Sequence, residues 1–268
     1  MPELPEVETI KNELEPHVVG RRISGVVLSW EGIVKEPSVG EFLSRVIGQK
    51  ITGLSRRGKY LFFHLDGGGV LVVHMKMTGS LLISPADDKF VRATIHLDDG
   101  ARVAFRDPRK FGAMWLAEDE GVVSARLGPE PLEDDFTPKV LAGILHKRTA
   151  PIKAILIDQT IIAGIGNMYA DESLFEAKIH PERPAGSLTQ GEIKRLHRAI
   201  RRVLKAAIGH KGASVRNYLR PGGELGTAHY AFRVAHGLGK KCPNCGTPIR
   251  RIVVRNRGTY LCPKCQWP

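Results

Sequence analysis

Apolar residues between positions 21 and 116 arrive in short runs. RISGVVL, YLFFHL, VLVVHM, ATIHL and RVAF are rich in β-branched and aromatic residues, and DGGG and DDG separate some of them. Short β-rich runs broken by turn residues predict an antiparallel sandwich or barrel of about 100 residues. A helix is predicted ahead of it, over Glu6 to Val19. Val7, Ile10 and Leu14 form its apolar stripe, Pro5 suits a first helical position, and Gly20 ends it. The acidic, proline-rich stretch LGPEPLEDDFTP (Leu127–Pro138) marks a boundary. Beyond it the apolar spacing becomes helical. In SLTQGEIKRLHRAIRRVLKAAIG, Thr189 and Glu192 form a capping box, and Ile193, Leu196, Ile200, Val203 and Ala207 make the stripe. KAILIDQTIIAGIGNMYADESLFEA reads as helix, Gly-rich turn, helix, the second starting near Asn167. The fold class is therefore α+β. The expected domains are residues 1–135 (helix plus β-sandwich), 136–232 (helical) and 233–268.

Composition narrows the function classes. Hydrophobic residues are 42% of the 268, enough for a real core. The longest apolar runs are too short to span a bilayer, so no membrane partner is expected. No basic start followed by an apolar stretch opens the chain, so secretion is not indicated. Net charge is +12, unevenly spread. Residues 1–135 carry 17 basic and 21 acidic side chains, and residues 136–268 carry 23 and 7. That asymmetry fits a polyanion bound by the second half, or a solvated basic face without a partner.

The cysteines fall in one pattern, C-x₂-C-x₁₆-C-x₂-C: Cys242, Cys245, Cys262 and Cys265. Each pair can present two thiolates to one tetrahedral ion, and four soft ligands suit Zn²⁺. A site closed by four cysteines is structural rather than catalytic. The intervening TPIRRIVVRNRGTYL alternates like a strand, is expected to turn at Asn256-Arg257-Gly258, and returns, giving a β-hairpin zinc ribbon. Arg250, Arg251, Arg255 and Arg257 make that hairpin cationic. It suits a DNA groove, with a lid or dimer contact as the alternative.

The chain opens MPELPEVE. With Met1 removed, Pro2 carries a free secondary amine, and an α-amino group titrates near ~8. Such an amine, attacking an anomeric carbon, gives an iminium that cannot shed its charge by losing an N–H proton. That fixed charge acidifies the neighbouring C–H and promotes elimination of a phosphate ester. Glu3 stands next to it to move protons, and Glu6, one turn on, can anchor the helix start or orient the amine. The same residues also suit a plain capped helix.

PELPEVET, RRGKYL (Arg56–Leu61), HMKMTGS (His74–Ser80), DPRKFG (Asp107–Gly112), LGPEPL (Leu127–Leu132), DQTIIAGIGNMYADESLF (Asp158–Phe175) and the zinc ribbon occur in one order. Together they resemble the formamidopyrimidine-DNA glycosylase family, from Pro2 to Cys265. The resemblance implies a bifunctional base-excision repair enzyme. It would remove oxidised purines, such as 8-oxoguanine and formamidopyrimidines, from duplex DNA and then cleave the strand by β- and δ-elimination. The implied architecture adds a helix–two-turn–helix to the helical domain. Pro2 is then the Schiff-base nucleophile, Glu3 the general acid/base and Glu6 a supporting residue. Lys59 contacts the lesion's sugar-phosphate and serves β-elimination, with a solvated strand-end lysine as its bland alternative. Arg257 grips flanking phosphates and serves δ-elimination. Asn167 is the helix–two-turn–helix asparagine, with a plain helix cap as its bland alternative. Met77, Arg109 and Phe111 fill the gap left by an extruded nucleotide, and Arg148 contacts DNA.

The chain departs from the family in places. It has HMKMTGS where HLGMSGS is common, and Phe90, with Arg92 nearby, stands where a DNA-contacting histidine is expected. The segment from Lys211 to Tyr230 falls where the family covers an everted guanine. The related endonuclease VIII, which prefers oxidised pyrimidines, is the alternative enzyme, and Arg109 and Phe111 argue against it. A non-enzymatic zinc-ribbon DNA binder would need no free proline. A monomer is expected, with zinc as its cofactor, acting on damaged double-stranded DNA in the bacterial cytoplasm.

Overall fold

The computed structural model describes residues 1–215 and 217–267. Two compact units emerge, residues 1–125 with 210–229, and residues 126–209 with 230–268. The segment after the long basic helix thus returns to the first unit, whereas sequence alone grouped it with the helices.

The first unit opens with α1 (Leu4–Val18). It starts two residues earlier than the apolar stripe suggested, because the Glu6 carboxylate reaches back to the Glu3 backbone N–H at 2.7 Å and makes Glu3 the cap. The remaining elements of this unit are β1 (Ile23–Leu28), β2 (Val34–Glu36), α2 (Val39–Val46), β3 (Ile51–Arg57), β4 (Tyr60–Leu65), β5 (Val70–His74), β6 (Ser80–Ile83), β7 (Val91–Leu97), β8 (Arg102–Arg106), β9 (Ala113–Ala117) and the single turn α3 (Gly121–Ser124). The strands form a four-stranded sheet, β1-β7-β8-β6, and a five-stranded sheet, β2-β9-β5-β4-β3. Pairing is antiparallel except where the short β2 runs parallel to β9.

Alternation explains the layers. Leu61 and Phe63 of β4, Leu71 and Val73 of β5, and Ile95, Val103 and Phe105 of the other sheet join one core with Val7, Ile10 and Leu14 of α1. The intervening residues Phe62, Val70 and Val72 face the other side of the five-stranded sheet, where Trp115 and Val123 of α3 cover them. β5 is consequently buried on both faces, which is why VLVV shows no alternation.

The second unit holds α4 (Pro138–Leu145), α5 (Ile152–Ile157), α6 (Asn167–Ala177), α7 (Gln190–Gly209), β10 (Arg250–Val254) and β11 (Arg257–Leu261). The Thr189–Glu192 capping box forms as expected, each residue's backbone N–H meeting the other's side chain at 2.8 and 3.3 Å. The buried stripe of α7 runs through Leu204 rather than Val203. The hairpin turn differs too. Arg255 and Asn256 both have positive φ, 45° and 62°, so the two-residue turn sits there and Arg257 opens the return strand opposite Val254.

Segment 210–229 is fastened to α1. Ala213 N–H donates to Glu6 Oε1 at 2.8 Å, Arg220 holds Glu13 through both Nε and Nη2, and Tyr218 lies in the sandwich core. Arg216 of this segment lies outside the described residues. Gly212 has φ +75°, and a Cβ there would lie 2.9 Å from Glu6 Cγ. Gly212→Ala is expected to destabilise the unit by about 1–3 kcal/mol, through left-handed strain and displacement of Glu6. Denaturant unfolding checks the loss, and limited proteolysis should show earlier cleavage within 210–229.

Candidate active site and metal centre

Chain termini are usually exposed and loosely held. Here Pro2 is buried, and Glu3 and Glu6 are 2% and 1% exposed, while Met1 projects outward. Both Glu6 oxygens accept backbone N–H groups, from Glu3 on one side and Ala213 on the other. Glu6 is therefore tied to backbone on both sides of the helix head.

Lys59 occupies the tip of the β3–β4 hairpin, after Gly58 at φ +58°. Hairpin tips are ordinarily solvated, yet Lys59 is 5% exposed. The solvated strand-end reading of this residue fails, since lysine is seldom buried without purpose. Arg56 next to it is tied to Glu8 at 2.6 Å and to the Gly58 carbonyl at 3.0 Å, which stiffens the hairpin.

His74, at the end of β5, is buried against the edge of Tyr60, with ring centroids 4.6 Å apart, and its Nδ1 accepts the Lys76 N–H at 2.8 Å. Burial, with the Lys76 and Lys59 charges adding to it, pushes its pKa down to about 3. Met75 is a core residue, and Lys76 adopts φ +51°, a left-handed position in the slot where the family commonly has glycine. Met77 then projects, 42% exposed. Arg109 and Phe111 project from the loop after β8, Phe111 48% exposed, with the guanidinium 4.5 Å from the ring centre. An exposed methionine, phenylalanine and arginine are poor core candidates, and the structure places none of them in the core. Phe90 is flanked by Lys89, Arg92 and Arg106, whose cationic groups lie 5.3, 6.0 and 5.1 Å from its ring centre.

In the second unit, Asn167 is the first residue of α6, not its cap; Gly166 is. The Asn167 side chain donates instead to the Gly258 carbonyl at 2.9 Å, 91 residues away. This joins the helix–turn–helix to the zinc hairpin beside Arg257. A wholly buried pair missed in the sequence reinforces the joint. Lys153 of α5 meets Asp171 of α6 at 2.6 Å, and also donates to Thr259 Oγ1 at 2.8 Å and the Gly258 carbonyl at 3.2 Å. Asp171 Oδ2 accepts the Tyr260 N–H at 3.0 Å. Arg148 lies exposed after α4, its Nε turned back on the Ile144 carbonyl at 2.6 Å. Several α7 cations are occupied internally, Arg201 with Asp134 and Arg202 with Glu176, so the charge excess overstates the free basic surface.

The four cysteine sulfurs lie within 4.8 Å of one another, with Cys242–Cys265 at 3.9 Å and Cys245–Cys262 at 3.4 Å. A tetrahedron of Zn–S bonds near 2.3 Å has edges of about 3.8 Å, so the donor set fits zinc. Gln266 holds the second knuckle from outside, accepting the Cys262 N–H at 3.0 Å and donating to the Ile179 carbonyl at 3.0 Å.

Residues 1–114 match the formamidopyrimidine-DNA glycosylase N-terminal domain, 127–218 the formamidopyrimidine-DNA glycosylase H2TH domain, and 239–266 a zinc finger found in FPG and IleRS. The chain belongs to the formamidopyrimidine-DNA glycosylase family. It is 47% identical to the formamidopyrimidine-DNA glycosylase of Chloroflexus aggregans, over 99% of this chain and 98% of that one, and 43% identical to that of Geobacillus kaustophilus, over 99% and 100%. The Lactococcus lactis Fpg, solved in complex with DNA containing an abasic site, superposes with a TM-score of 0.93 at 36% identity, covering 99% of this chain and 100% of that one. Fpg from Thermus thermophilus gives 0.90 at 39%, covering 99% and 98%. Family membership makes the chain a base-excision repair enzyme, a DNA glycosylase with abasic-site lyase activity, and its four-cysteine site a structural zinc site. No described helix is long and apolar enough to cross a membrane.

Removing the metal is expected to unfold the terminal hairpin and, with it, the strand that carries Arg257, abolishing tight duplex binding. Circular dichroism and a DNA titration before and after chelation check this. A second expectation follows from His74. Its folded pKa lies below the unfolded value of 6.5, so the unfolded chain takes up a proton that the folded chain refuses. The contribution to stability is full above pH ~6.5 and falls as pH drops towards about 3, by at most ~1.4 kcal/mol per pH unit. His74→Asn, which keeps an acceptor for Lys76 N–H, should flatten that slope in urea unfolding between pH 4 and 7.

Proposed function

We propose that this enzyme excises oxidised purines, 8-oxoguanine and formamidopyrimidines among them, from duplex DNA through a Schiff base on Pro2. The observation that carries the reading is the buried chain terminus: Pro2 and Glu3 are enclosed at the head of α1 while Met1 points out. Removal of Met1 frees the Pro2 nitrogen. That nitrogen attacks C1′ of the extruded nucleotide, the N–C1′ bond forms, and the glycosidic bond breaks with its electrons leaving on the base, which takes up the N–H proton shed by the Pro2 nitrogen. Glu3 protonates the sugar ring oxygen as the ring opens to the iminium. Loss of the C2′ proton then expels the 3′-phosphate, and a second elimination releases the 5′-phosphate.

Lys59 meets the lesion's sugar-phosphate, where its charge offsets developing negative charge. Met77 and Phe111 occupy the space left by extrusion, and Arg109 hydrogen-bonds the orphaned base. Asn167, whose side chain bonds the carbonyl of Gly258, and Arg257, the residue before it, hold flanking phosphates, with Arg257 serving δ-elimination, and Arg148 adds a phosphate contact. The zinc keeps the hairpin folded, with Cys242, Cys245, Cys262 and Cys265 as its ligands, and takes no part in the chemistry. The enzyme acts in the bacterial cytoplasm, on the nucleoid.

Two variants test this. A residue added before Pro2 blocks the amine, and strand cleavage is expected to vanish while duplex affinity stays within about threefold. Glu3→Gln is expected to lower single-turnover cleavage by ~10²–10⁴-fold. Full activity in the blocked protein, verified by its intact mass, would remove Pro2 from the mechanism. A lesion panel decides the substrate: 8-oxoguanine opposite cytosine should be cleaved faster than thymine glycol.

A further inference from the structure

The two loops that carry Met77, Arg109 and Phe111 are far apart in sequence, yet one buried carboxylate binds both. Asp107 follows β8 and is 0% exposed. Its Oδ1 accepts the Thr78 hydroxyl from the first loop and the Arg109 N–H, at 3.2 Å, from the second. Its Oδ2 accepts the Phe111 and Gly112 N–H groups, each at 2.7 Å. Its backbone joins a third segment: Asp107 N–H donates to the Phe90 carbonyl at 2.8 Å, and Arg92 Nε donates to the Asp107 carbonyl at 2.8 Å. Both loops also rest on one ring. A Cβ added at Gly79 would lie 2.9 Å from the Phe105 ring, and one at Gly112 would lie 2.4 Å from it, so only glycines allow this approach.

We propose that Asp107 is the positioning residue of the gap-filling machinery, locking the Met77 loop and the Arg109–Phe111 loop into a single preformed wedge. The inference rests on the reading of Met77, Arg109 and Phe111 as gap fillers. A wedge that must separate stacked bases does work against them, and loose loops would deflect or lose entropy instead. The Asp107 carboxylate removes that freedom before DNA arrives, with Arg109 already lying over the Phe111 ring. One part of the departure from HLGMSGS fits this contact. Thr78 replaces serine but retains the hydroxyl that Oδ1 accepts.

Asp107→Asn tests the assignment, because an amide keeps one acceptor oxygen: whichever way it turns, the acceptor is lost either at the Thr78 and Arg109 donors or at the Phe111 and Gly112 N–H groups. Two substrates separate positioning from chemistry: a fully paired duplex containing 8-oxoguanine, which must be opened, and a single strand containing an abasic site, which need not be. Loss of one such hydrogen bond corresponds to about a tenfold rate change. Excision from the duplex is expected to fall by about tenfold or more in single-turnover kcat. A 2-aminopurine beside the lesion should brighten correspondingly more slowly. Elimination on the single strand should stay within about threefold, since it needs no wedge. Thr78→Val should share the duplex-specific defect, and Thr78→Ser should restore the rate.

Equal losses on both substrates, or wild-type opening by Asp107→Asn and Thr78→Val, would overturn the proposal. Should Asp107→Asn not fold, the Val–Ser pair at Thr78 decides alone. Failure of the imine reading is distinguishable, because the wild-type protein would then form no borohydride-trapped adduct with the single strand.

Discussion

A carboxylate with both oxygens bound to backbone N–H groups holds the first helix in place. Glu6 takes one N–H from Glu3, within its own turn, and another from Ala213, more than two hundred residues on. An ionised acceptor makes stronger hydrogen bonds than a neutral one, and burial raises the penalty for leaving it unpaired. The helix head is thereby fixed against the β-sandwich core, and Pro2 ahead of it acquires a defined, buried place. Glu3 is held by its backbone. Lys59 is buried at a stiff hairpin tip. His74 stays neutral where the Lys59 and Lys76 charges reach it.

The second unit solves a different problem by similar means. Its terminal hairpin is too small to fold on apolar burial alone, and the zinc site supplies what is missing. Placement of the hairpin comes from polar contacts. Asn167 and Lys153 bind β11 at Gly258 and Thr259, and Asp171 binds it at Tyr260, so the strand opened by Arg257 is aligned with the first turns of α6. Breaking one member of a buried pair is strongly destabilising, because it strands a charge. That gives the hairpin a fixed seat on the helices.

Much of this was legible in the residues. Apolar spacing marked α1, the β-rich half and α7, the cysteine spacing marked the zinc site, and the order of motifs marked the family. What stayed hidden shares a cause: it depends on contacts between distant positions. Nothing in KAILID announces that Lys153 will meet a carboxylate on the next helix and a carbonyl 105 residues away. Helix α1 began early because a side chain, not an apolar pattern, set its cap. For Lys59 a solvated strand end stood as the alternative, because hairpin tips usually are solvated, and only its burial removes it. Asn167 sat where a cap was expected, but Gly166 took that place and freed its side chain for the hairpin. The return of residues 210–229 to the first unit followed from Gly212, Ala213 and Tyr218 meeting α1, which no local signal encodes. Asp107 was visible inside DPRKFG, yet its role emerged only when Thr78 and the Phe111 loop were seen to share its oxygens.

The proposed chemistry turns on one bond, between the Pro2 nitrogen and C1′ of the damaged nucleotide. Reducing the reaction with borohydride and sequencing the cross-linked peptide by mass spectrometry tests it most directly. The account requires the deoxyribose mass on the peptide that begins at Pro2, attached to its first residue. Attachment at Lys59, or at any other side chain, would contradict it.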